Sequence, residues 1–327
     1  MSALVAAESV SRRFAHGGML ALRPAVQALT SVDLSIARGA TVGLVGESGS
    51  GKSTLGRLML GLIAPSAGRV LLDGADLATL GAARLRAARR RMQIIFQDPY
   101  SSLDPRRRVG AQIADGLAIH RLVPRHERSE RVRALLAQVG LSPVHAERYP
   151  HEFSGGQRQR IGIARALATG PEFLVADEPV SALDVSVQAQ VLALLADLCA
   201  QSAVALLFIS HDLPVVRSLC ERVVVLYLGR VMEEGPAAAV FETPRHPYTQ
   251  ALLSAAPSID PTRRRPRILL EGDPPSPAAP PSGCVFRTRC RHASAACAEL
   301  VPQLRERGPN HRVACLRDDI DGSAAGK

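Results

Sequence analysis

A glycine-rich octapeptide near the N-terminus limits the fold more than any other part of this 327-residue sequence. Residues 46–53 read Gly-Glu-Ser-Gly-Ser-Gly-Lys-Ser, which fits the G-x-x-x-x-G-K-[ST] pattern of a phosphate-binding loop, or P-loop. The apolar run Thr41–Val45 predicts a buried strand before the loop, and Lys52–Leu62 has the pattern of a helix after it. Strand, glycine loop and helix in this order predict a nucleotide-binding α/β protein.

The residue types of the P-loop suit phosphate binding. Its glycines permit backbone conformations that other residues avoid, and N–H groups at the start of a helix attract anions. Lys52 brings a compact positive charge to the β- and γ-phosphates, and the Ser53 hydroxyl is a ligand for Mg²⁺. We therefore expect the nucleotide phosphates to contact the P-loop and the residue after it, namely Gly46, Glu47, Ser48, Gly49, Ser50, Gly51, Lys52, Ser53 and Thr54.

A second buried strand, predicted at Phe173–Asp177, ends in two adjacent carboxylates. Asp177 is placed to hold Mg²⁺, and Glu178 to activate the attacking water as a general base. Further apolar runs at Leu206–Ser210 and Val223–Tyr227 predict two more strands, separated by helical patterns. Alternation of strands and helices indicates a largely parallel sheet. Residues 1–40 have the pattern of short β segments joined by loops.

Composition narrows the class of protein further. Hydrophobic residues make up 46% of the chain, but no apolar run approaches the ~18–20 residues of a membrane span. Glu8 interrupts the N-terminal stretch where a signal peptide would need apolar residues, so we expect a cytoplasmic location. The net charge of +10 is compatible with nucleic acid, yet the chain has no Trp and 3% aromatic residues. Platforms for base stacking, and hence a nucleic-acid partner, are not expected.

Between the two nucleotide motifs, residues 153–157 read Phe-Ser-Gly-Gly-Gln. This segment resembles the signature sequence of ATP-binding cassette (ABC) ATPases, in which the first residue is usually Leu. A Ser hydroxyl and two Gly amides that open a helix form a second anion-binding site. The resemblance implies that Ser154, Gly155, Gly156 and Gln157 close on ATP held by a second subunit.

Other parts of the cassette pattern occur in the same order along the chain. Gln97 resembles the Q-loop glutamine, which contacts Mg²⁺ and the attacking water, and Asp184 resembles the D-loop aspartate at the dimer interface. His211 resembles the switch histidine that contacts the γ-phosphate, and Phe14 the aromatic residue that stacks on adenine. The resemblance thus implies a catalytic set, Glu178, His211 and Gln97, and an Mg²⁺ set, Ser53, Gln97 and Asp177.

Longer segments are similar to the ATPase subunits of bacterial dipeptide and oligopeptide importers. They are residues 97–105, 149–160, 176–186 and the His-Pro-Tyr-Thr-Gln-Ala-Leu-Leu segment 246–253. This resemblance implies a P-loop NTPase ABC cassette, with a RecA-like core, an antiparallel β subdomain and a helical subdomain. We expect the cassette to span 1–235, with its helical subdomain at about 98–168. A C-terminal extension, 236–327, then contains a proline-rich linker at 257–283.

The resemblance also implies the role and the partners. The chain would hydrolyse ATP, with Mg²⁺, to energise an importer at the cytoplasmic face of the cell membrane. A second ATPase subunit (a paralogue), two membrane permeases and an extracytoplasmic solute-binding protein would complete the assembly. Nickel and glutathione remain alternative solutes. A soluble ABC ATPase that acts on nucleic acid or ribosomes is the rival class, which the single cassette and the transporter-like tail disfavour.

Four of the six cysteines lie in the last 44 residues, at Cys284, Cys290, Cys297 and Cys315. Their spacing does not match the paired C-x₂-C of structural zinc sites, but resembles that of peptide-importer ATPases, some of which carry a [4Fe–4S] cluster. Iron–sulfur, zinc and metal-free thiols all remain open. With few large apolar residues nearby, we expect the cysteines to replace a core. Cys199 and Cys220 lie in apolar periodic stretches and are predicted to be core residues.

Overall fold

The structure is a computed structural model, and it describes residues 3–15, 25–256 and 266–320. The first part of the predicted proline-rich linker, residues 257–265, lies outside the described residues. The strands and helices, in chain order, are β1 (Ala3–Phe14), β2 (Val26–Ala37), β3 (Thr41–Val45), α1 (Lys52–Met59), β4 (Ala67–Leu72), β5 (Ala75–Asp76), α2 (Ala82–Arg91), β6 (Met92–Ile95), α3 (Val109–Ile119), α4 (Arg128–Gln138), α5 (Gly155–Leu167), β7 (Phe173–Asp177), α6 (Val185–Ser202), β8 (Ala205–Ile209), α7 (Leu213–Leu219), β9 (Arg222–Tyr227), β10 (Arg230–Pro236), α8 (Ala237–Glu242), α9 (Pro247–Ala255), α10 (Ala296–Glu299), β11 (Arg305–Gly308) and β12 (His311–Val313).

The larger sheet has the strand order β11-β12-β10-β9-β3-β8-β7-β6. Strands β9, β3, β8, β7 and β6 run parallel, and β10, β12 and β11 continue the sheet in antiparallel pairings. All five residues of β7 and of β8 are buried, as expected of central strands covered on both faces. The predicted largely parallel sheet is confirmed. Its parallel strands bring the P-loop and the ends of β6, β7 and β8 to the same edge.

The smaller sheet is antiparallel, with the order β2-β1-β4-β5. Strands β1 and β2 each have 12 residues and pair along most of their length, with several register shifts. The prediction of short β segments in residues 1–40 was therefore wrong. Side chains of this sheet, including Leu4, Val5 and Leu29, pack with Leu55 of α1 in one buried cluster. This packing fixes the first helix after the P-loop.

Helices α3, α4 and α5 lie between β6 and β7 and pack on one another. Val132, Leu135, Leu136 and Val139 have the helical spacing predicted for one face, and all four are buried. Phe153 is buried as well, just before α5. The ordinary leucine of the signature is thus replaced by another apolar side chain that packs inward, and the residues after it start the helix.

The C-terminal residues pack on the cassette. Strand β12 pairs with β10, so the chain beyond residue 235 adds two strands to the larger sheet. Val285, Phe286, Cys284 and Cys297 join the same buried cluster as the sheet. The cysteines therefore do not replace a core; the tail shares the core of the cassette. Cys199 and Cys220 are buried, as predicted.

Among the described residues, α6 is long and apolar enough to cross a membrane, judged by length and composition alone. That test also selects core helices of proteins that do not span membranes. Val191, Leu195 and Leu198 of α6 are buried in the cluster shared with the sheet. The helix thus uses its apolar face for packing within this chain.

Candidate functional site

The P-loop begins where β3 ends and turns sharply into α1. Gly46 has a φ of 154° and Gly51 a φ of 105°, values that L side chains rarely adopt. A Cβ at Gly46 would lie 2.1 Å from the carbonyl oxygen of Leu226, and one at Gly51 would lie 2.6 Å from that of Ala28. Backbone from the neighbouring elements thus approaches the loop so closely that both positions require glycine.

Lys52, the first residue of α1, lies buried inside the loop. Its Nζ donates to the carbonyl oxygens of Gly46, at 2.8 Å, and of Glu47, at 2.9 Å. Burial lowers the pKa of Lys52, while the carboxylates of Glu178, Asp177 and Glu47 oppose this shift. The ammonium is therefore held by two carbonyl dipoles at the centre of the loop, where a phosphate would supply the missing negative charge.

Other atoms of the loop are also suited to a nucleotide. Ser50 Oγ is buried and has no hydrogen-bond partner among the described residues. A buried hydroxyl without a partner is costly in a protein that binds nothing there. Ser48 and Gly49 are exposed, and Thr54 is half-buried on α1. The P-loop thus combines a buried cation, an unsatisfied donor and exposed backbone, which together fit a phosphate chain.

A hydroxyl and a carboxylate meet where Mg²⁺ is expected. Ser53 Oγ donates to Asp177 Oδ1 at 2.9 Å. Burial raises the pKa of Asp177, although the hydrogen bond from Ser53 and the charge of Arg57 oppose the increase. Hard oxygen ligands of this kind suit Mg²⁺, which is usually bound by few protein groups together with water and phosphate oxygens. The residues present therefore fit the metal.

Two predicted catalytic residues, Gln97 and His211, contact the carboxylate of the third, Glu178. Gln97, two residues after β6, donates through Nε2 to Glu178 Oε2 at 2.9 Å. His211 Nδ1, two residues after β8, lies 3.4 Å from the same oxygen. Glu178 follows β7 and has a φ of 46°, with its N–H bonded to the carbonyl of Ile209. The ends of three adjacent parallel strands thus place an amide, an imidazole and a carboxylate in direct contact.

The signature residues form the start of α5. Ser154 is the N-cap: its Oγ accepts from the N–H of Gln157 at 3.4 Å, and Gln157 Oε1 accepts from the N–H of Ser154 at 3.0 Å. This reciprocal pair is a capping box. Ser154 is exposed and Gly155 half-buried, whereas a Cβ at Gly156 would lie 2.3 Å from Val187 Cγ1. The helix start therefore stands open at Ser154 and is closely packed at Gly156.

Two more predicted contacts lie on the surface. Asp184 is the exposed N-cap residue of α6, and its carbonyl accepts from the N–H groups of Val187 and Gln188. Phe14 ends β1 and is 36% exposed, with the guanidinium of Arg12 at 4.6 Å from the ring centroid. One face of this ring is thus covered by Arg12. The structure brings Phe14 into no described contact with the P-loop.

The four tail cysteines are free thiols, and the backbone N–H of Cys284 donates to the carbonyl of Cys297 at 2.8 Å. Burial raises the pKa of Cys284 to about 11, and the nearby thiols of Cys297, Cys315 and Cys290 add to the increase. Burial also raises the pKa values of Cys290 and Cys315, and the backbone of the residue two positions later opposes the increase at each. Within residues 3–15, 25–256 and 266–320, no group of three or more His, Cys, Asp or Glu side chains is close enough together to hold a metal ion.

Sequence reasoning missed two residues at the P-loop. The hydroxyl of Tyr248 and the guanidinium of Arg289 contact Glu47. Tyr248 lies in the segment 246–253 that indicated the importer group, but nothing in that segment shows which residue it contacts. The pairing joins residues more than 200 positions apart, and no spacing rule reveals a contact of that range.

Solved structures of ATP-binding cassettes share this fold. The ATP-binding cassette MJ0796, solved as a dimer in a post-hydrolysis state bound to ADP and Pi, matches with a TM-score of 0.64 and 30% identity, over 71% of this chain and 98% of that one. CbiO1 from Clostridium perfringens, part of an ABC transporter complex, matches with a TM-score of 0.64 and 27% identity, over 74% and 91%. The fold and the site thus define an ABC cassette.

Sequence relatives narrow the class. The family model for ABC transporters matches residues 29–181, and the model for the oligopeptide/dipeptide transporter C-terminal region matches 232–297. The chain is 60% identical to a Brucella ovis protein named as a peptide import ATP-binding protein, over 89% of this chain and 92% of that one. It is 51% identical to the oligopeptide transport ATP-binding protein AppF of Bacillus subtilis, over 89% of each. It is 48% identical to the dipeptide transport ATP-binding protein DppF of Escherichia coli, over 93% and 91%.

This chain belongs to the family of ABC transporter ATP-binding proteins, in the group with the oligopeptide/dipeptide C-terminal region. It is therefore an ATPase whose activity is coupled to transport, and it uses ATP and Mg²⁺. The resemblance drawn from the sequence and the cassette fold are both confirmed.

Proposed function

We propose that this chain energises an importer for di- and oligopeptides at the cytoplasmic face of the cell membrane. One observation carries the proposal: Gln97 and His211 meet at the carboxylate of Glu178, in a chain that has the peptide-transporter C-terminal region. The names of the relatives support peptides as the cargo. ATP hydrolysis by the cassette supplies the free energy, and the membrane subunits use it.

In this proposal Glu178 is the general base. Oε2 of Glu178 takes the proton of the attacking water. Gln97 and His211 hold Oε2 in place, and His211 also contacts the γ-phosphate. Lys52, held by the Gly46 and Glu47 carbonyls, supplies its positive charge to the β- and γ-phosphates. Mg²⁺, held by Ser53, Asp177 and Gln97, neutralises charge on the β- and γ-phosphates when bound.

Signature residues act on a second cassette. Ser154, Gly155, Gly156 and Gln157 would contact the ATP held by the partner, with Asp184 at the same interface. The exposed hydroxyl of Ser154 and the N-terminal end of α5 support this, because both favour an anion. Phe14 would stack on the adenine of the nucleotide held by this chain. ATP binding then joins two cassettes, and hydrolysis lets them part.

Partners and domain boundaries are part of the same proposal. The second cassette would be a paralogue, and two permeases and a solute-binding protein would complete the importer. We assign the cassette to residues 1–235 with its helical subdomain at 98–168, and the C-terminal extension to 236–327. Helices α3, α4 and α5, which pack on one another beside the sheet, support a separate helical subdomain.

Affinity isolation of the chain from detergent-solubilised membranes tests the assembly. We expect two permeases and a second ATPase to co-purify. After reconstitution in lipid nanodiscs, the solute-binding protein loaded with a dipeptide should stimulate ATP hydrolysis. Stimulation by nickel or glutathione instead would show that peptides are not the transported solute. Recovery of ribosomal proteins without any permease would overturn the transport role and leave the ATPase assignment intact.

We also propose that the four tail cysteines bind a [4Fe–4S] cluster. Four free thiols in one tail, with a cysteine spacing that resembles that of peptide-importer ATPases, support a thiolate site for a soft metal. The sulfurs would have to approach one another more closely than they do here. Iron, zinc and sulfide analysis of anaerobically purified protein tests this, with the visible spectrum as a second readout. Cys290→Ser should remove the colour and Cys199→Ser should not; zinc, or a colourless metal-free wild type, would refute the cluster.

A further inference from the structure

Two residues of the C-terminal extension, Tyr248 and Arg289, hydrogen-bond to the same P-loop residue, Glu47. The backbone N–H of Glu47 donates to the hydroxyl of Tyr248 at 2.8 Å. The Glu47 carboxylate accepts from Arg289 Nη1, with 2.7 Å between Nη1 and Oε2. The extension therefore binds this loop residue through its backbone and through its side chain.

The Arg289 side chain is buried, which increases the energetic cost of losing its ion pair with Glu47. Its side chain is only 8% exposed, and Nη1 also lies 3.4 Å from the hydroxyl of Tyr227. Among the described residues, Glu47 is the carboxylate that pairs with it. Removing one partner of a buried pair leaves an uncompensated charge, which costs far more than loss of an exposed pair. The buried guanidinium therefore depends on the P-loop carboxylate of Glu47 to balance its charge.

An aromatic cluster holds these contacts rigidly. The ring centroids of Tyr227 and Tyr248 are 4.6 Å apart, and Phe286 lies 5.3 Å from each. Tyr248 and Phe286 are fully buried. Burial also raises the pKa of Tyr248, so its hydroxyl stays neutral and accepts the Glu47 N–H at every relevant pH. Phe286 lies three residues before Arg289, so the cluster fixes the segment that carries the guanidinium.

Glu47 in turn holds the residue that binds phosphate. Its carbonyl oxygen accepts from Lys52 Nζ at 2.9 Å. The peptide groups on both sides of Glu47 are therefore fixed, one by Tyr248 and the other by Lys52. Preorganised donors are worth more in binding than mobile ones, because no ordering is needed when the ligand arrives. Polar contacts thus connect Arg289 to Glu47 and Glu47 to Lys52.

We propose that Tyr248 and Arg289 are positioning residues of the ATP site, through which the C-terminal extension sets the affinity for nucleotide. They touch neither the nucleotide nor the reacting water; they act by holding Glu47. The extension is thus part of the nucleotide-binding machinery of this chain. The inference rests on the proposed function, because it assumes that the P-loop binds ATP.

The test uses the full-length chain and two variants of the contact. Arg289→Gln removes the charge, and Tyr248→Phe removes the hydroxyl while it keeps the ring in the cluster. Arg287→Gln is the matched control, because Arg287 lies in the same segment but its side chain contacts only Ser282 in the hydrogen bonds described. The dissociation constant for MgATP is measured by calorimetry, and the melting temperature is measured without nucleotide.

We expect Arg289→Gln to weaken MgATP binding by about 10-fold and Tyr248→Phe by about 3-fold or more, on the scale of one lost charged or neutral hydrogen bond. Arg287→Gln should stay within about 2-fold, which is below the scale of one hydrogen bond. In steady-state hydrolysis the KM should rise while kcat changes little, since Glu178 is untouched. Arg289→Lys should restore part of the affinity, because a cation again faces Glu47.

A double-mutant cycle separates positioning from stability. Glu47→Gln and Arg289→Gln should be strongly non-additive in MgATP affinity, because each removes the same contact. If Arg289→Gln stays folded and binds MgATP as tightly as Arg287→Gln, the positioning role is refuted. A lower melting temperature with unchanged affinity would show a structural role only. A wild-type chain that binds no ATP would instead refute the proposed function, so the two failures are distinguishable.

Discussion

The P-loop and the signature motif are both glycine-rich starts of helices, but their surroundings differ. The P-loop lysine is buried and bonded to two carbonyls, and its neighbours Ser53 and Glu47 contact β7 and the C-terminal extension. The signature serine is exposed, and its hydrogen bonds stay within residues 154–158. One motif is completed by distant parts of its own chain, whereas the other is left open at the surface.

This difference indicates which part of a nucleotide site each motif supplies: the P-loop binds the chain's own nucleotide, and the signature contacts one held by another molecule. A loop that the rest of the chain holds in place is ready to bind phosphate alone. An open helix start with an exposed hydroxyl gains its anion only from another molecule. We therefore expect substitutions at the P-loop to reduce nucleotide binding by the isolated chain. Substitutions at the signature leave that binding intact and affect only hydrolysis by the assembled pair.

The largest effect is expected from Glu178→Gln, which removes the carboxylate that meets Gln97 and His211. Loss of a general base should slow hydrolysis by about 10²–10⁴-fold. MgATP binding should persist, because no P-loop contact is lost. Phosphate release and ATP affinity are measured side by side, with Glu130→Gln, an exposed acid on α4, as the control. Normal turnover in Glu178→Gln would disprove its role as the base.

Lys52→Ala should have the next largest effect, on binding rather than on the chemical step. Loss of a charged donor to phosphate predicts about 10–100-fold weaker MgATP binding by the isolated chain. Lys52→Arg is the matched variant, and it should also bind weakly, because the planar guanidinium is larger than the ammonium and differently shaped. Tight binding by Lys52→Arg would show that charge alone suffices in this loop.

Phe14→Ala should weaken nucleotide affinity by about 10-fold, within the range of one lost base–aromatic stack. Phe14→Tyr keeps the ring and should bind normally. The measurement compares ATP with inorganic triphosphate, which has no base to stack. If Phe14→Ala weakens both ligands equally, the ring supports the strand and does not contact adenine.

The smallest effect is expected from Ser154→Ala in the isolated chain. Loss of an N-cap should cost about 1 kcal/mol of stability, measured as a small decrease in melting temperature. Nucleotide affinity should not change, which is the sharpest contrast with Lys52→Ala. Ser142→Ala is the control, because Ser142 caps a short 3₁₀ helix without a side-chain hydrogen bond. Weaker ATP binding by monomeric Ser154→Ala would place the signature at this chain's own nucleotide.

Much of the fold was predictable because its signals are local. The apolar runs predicted β3 and β7 at the bounds that the structure shows, and β8 and β9 to within one residue. Gln97 and His211 were singled out by the resemblance to ABC ATPases, and the sheet explains their position, since parallel strands bring the residues after them to one edge. Gln97, Glu178 and His211 lie together for that reason.

What was missed depends on contacts between distant parts of the chain. The lengths of β1 and β2 were underestimated because their apolar residues alternate with polar ones and bulges shift the register. The tail was expected to lack a core, but its Phe286 packs on Tyr227 of β9. Neither pairing leaves a pattern in the local sequence, because the partner of each residue is set by tertiary packing.

The contact between Glu47 and Arg289 has a consequence for how the protein is made. The two residues are 242 positions apart, and ribosomes add about 5–20 residues per second. The P-loop is therefore synthesised roughly 12–50 s before the residue that pairs with it exists. A nascent cassette must wait for almost the whole chain before its phosphate-binding loop acquires its final support. Until Arg289 has been made, a nascent chain whose cassette is partly folded lacks the contact that supports Glu47, and we expect it to bind ATP less tightly than the finished protein.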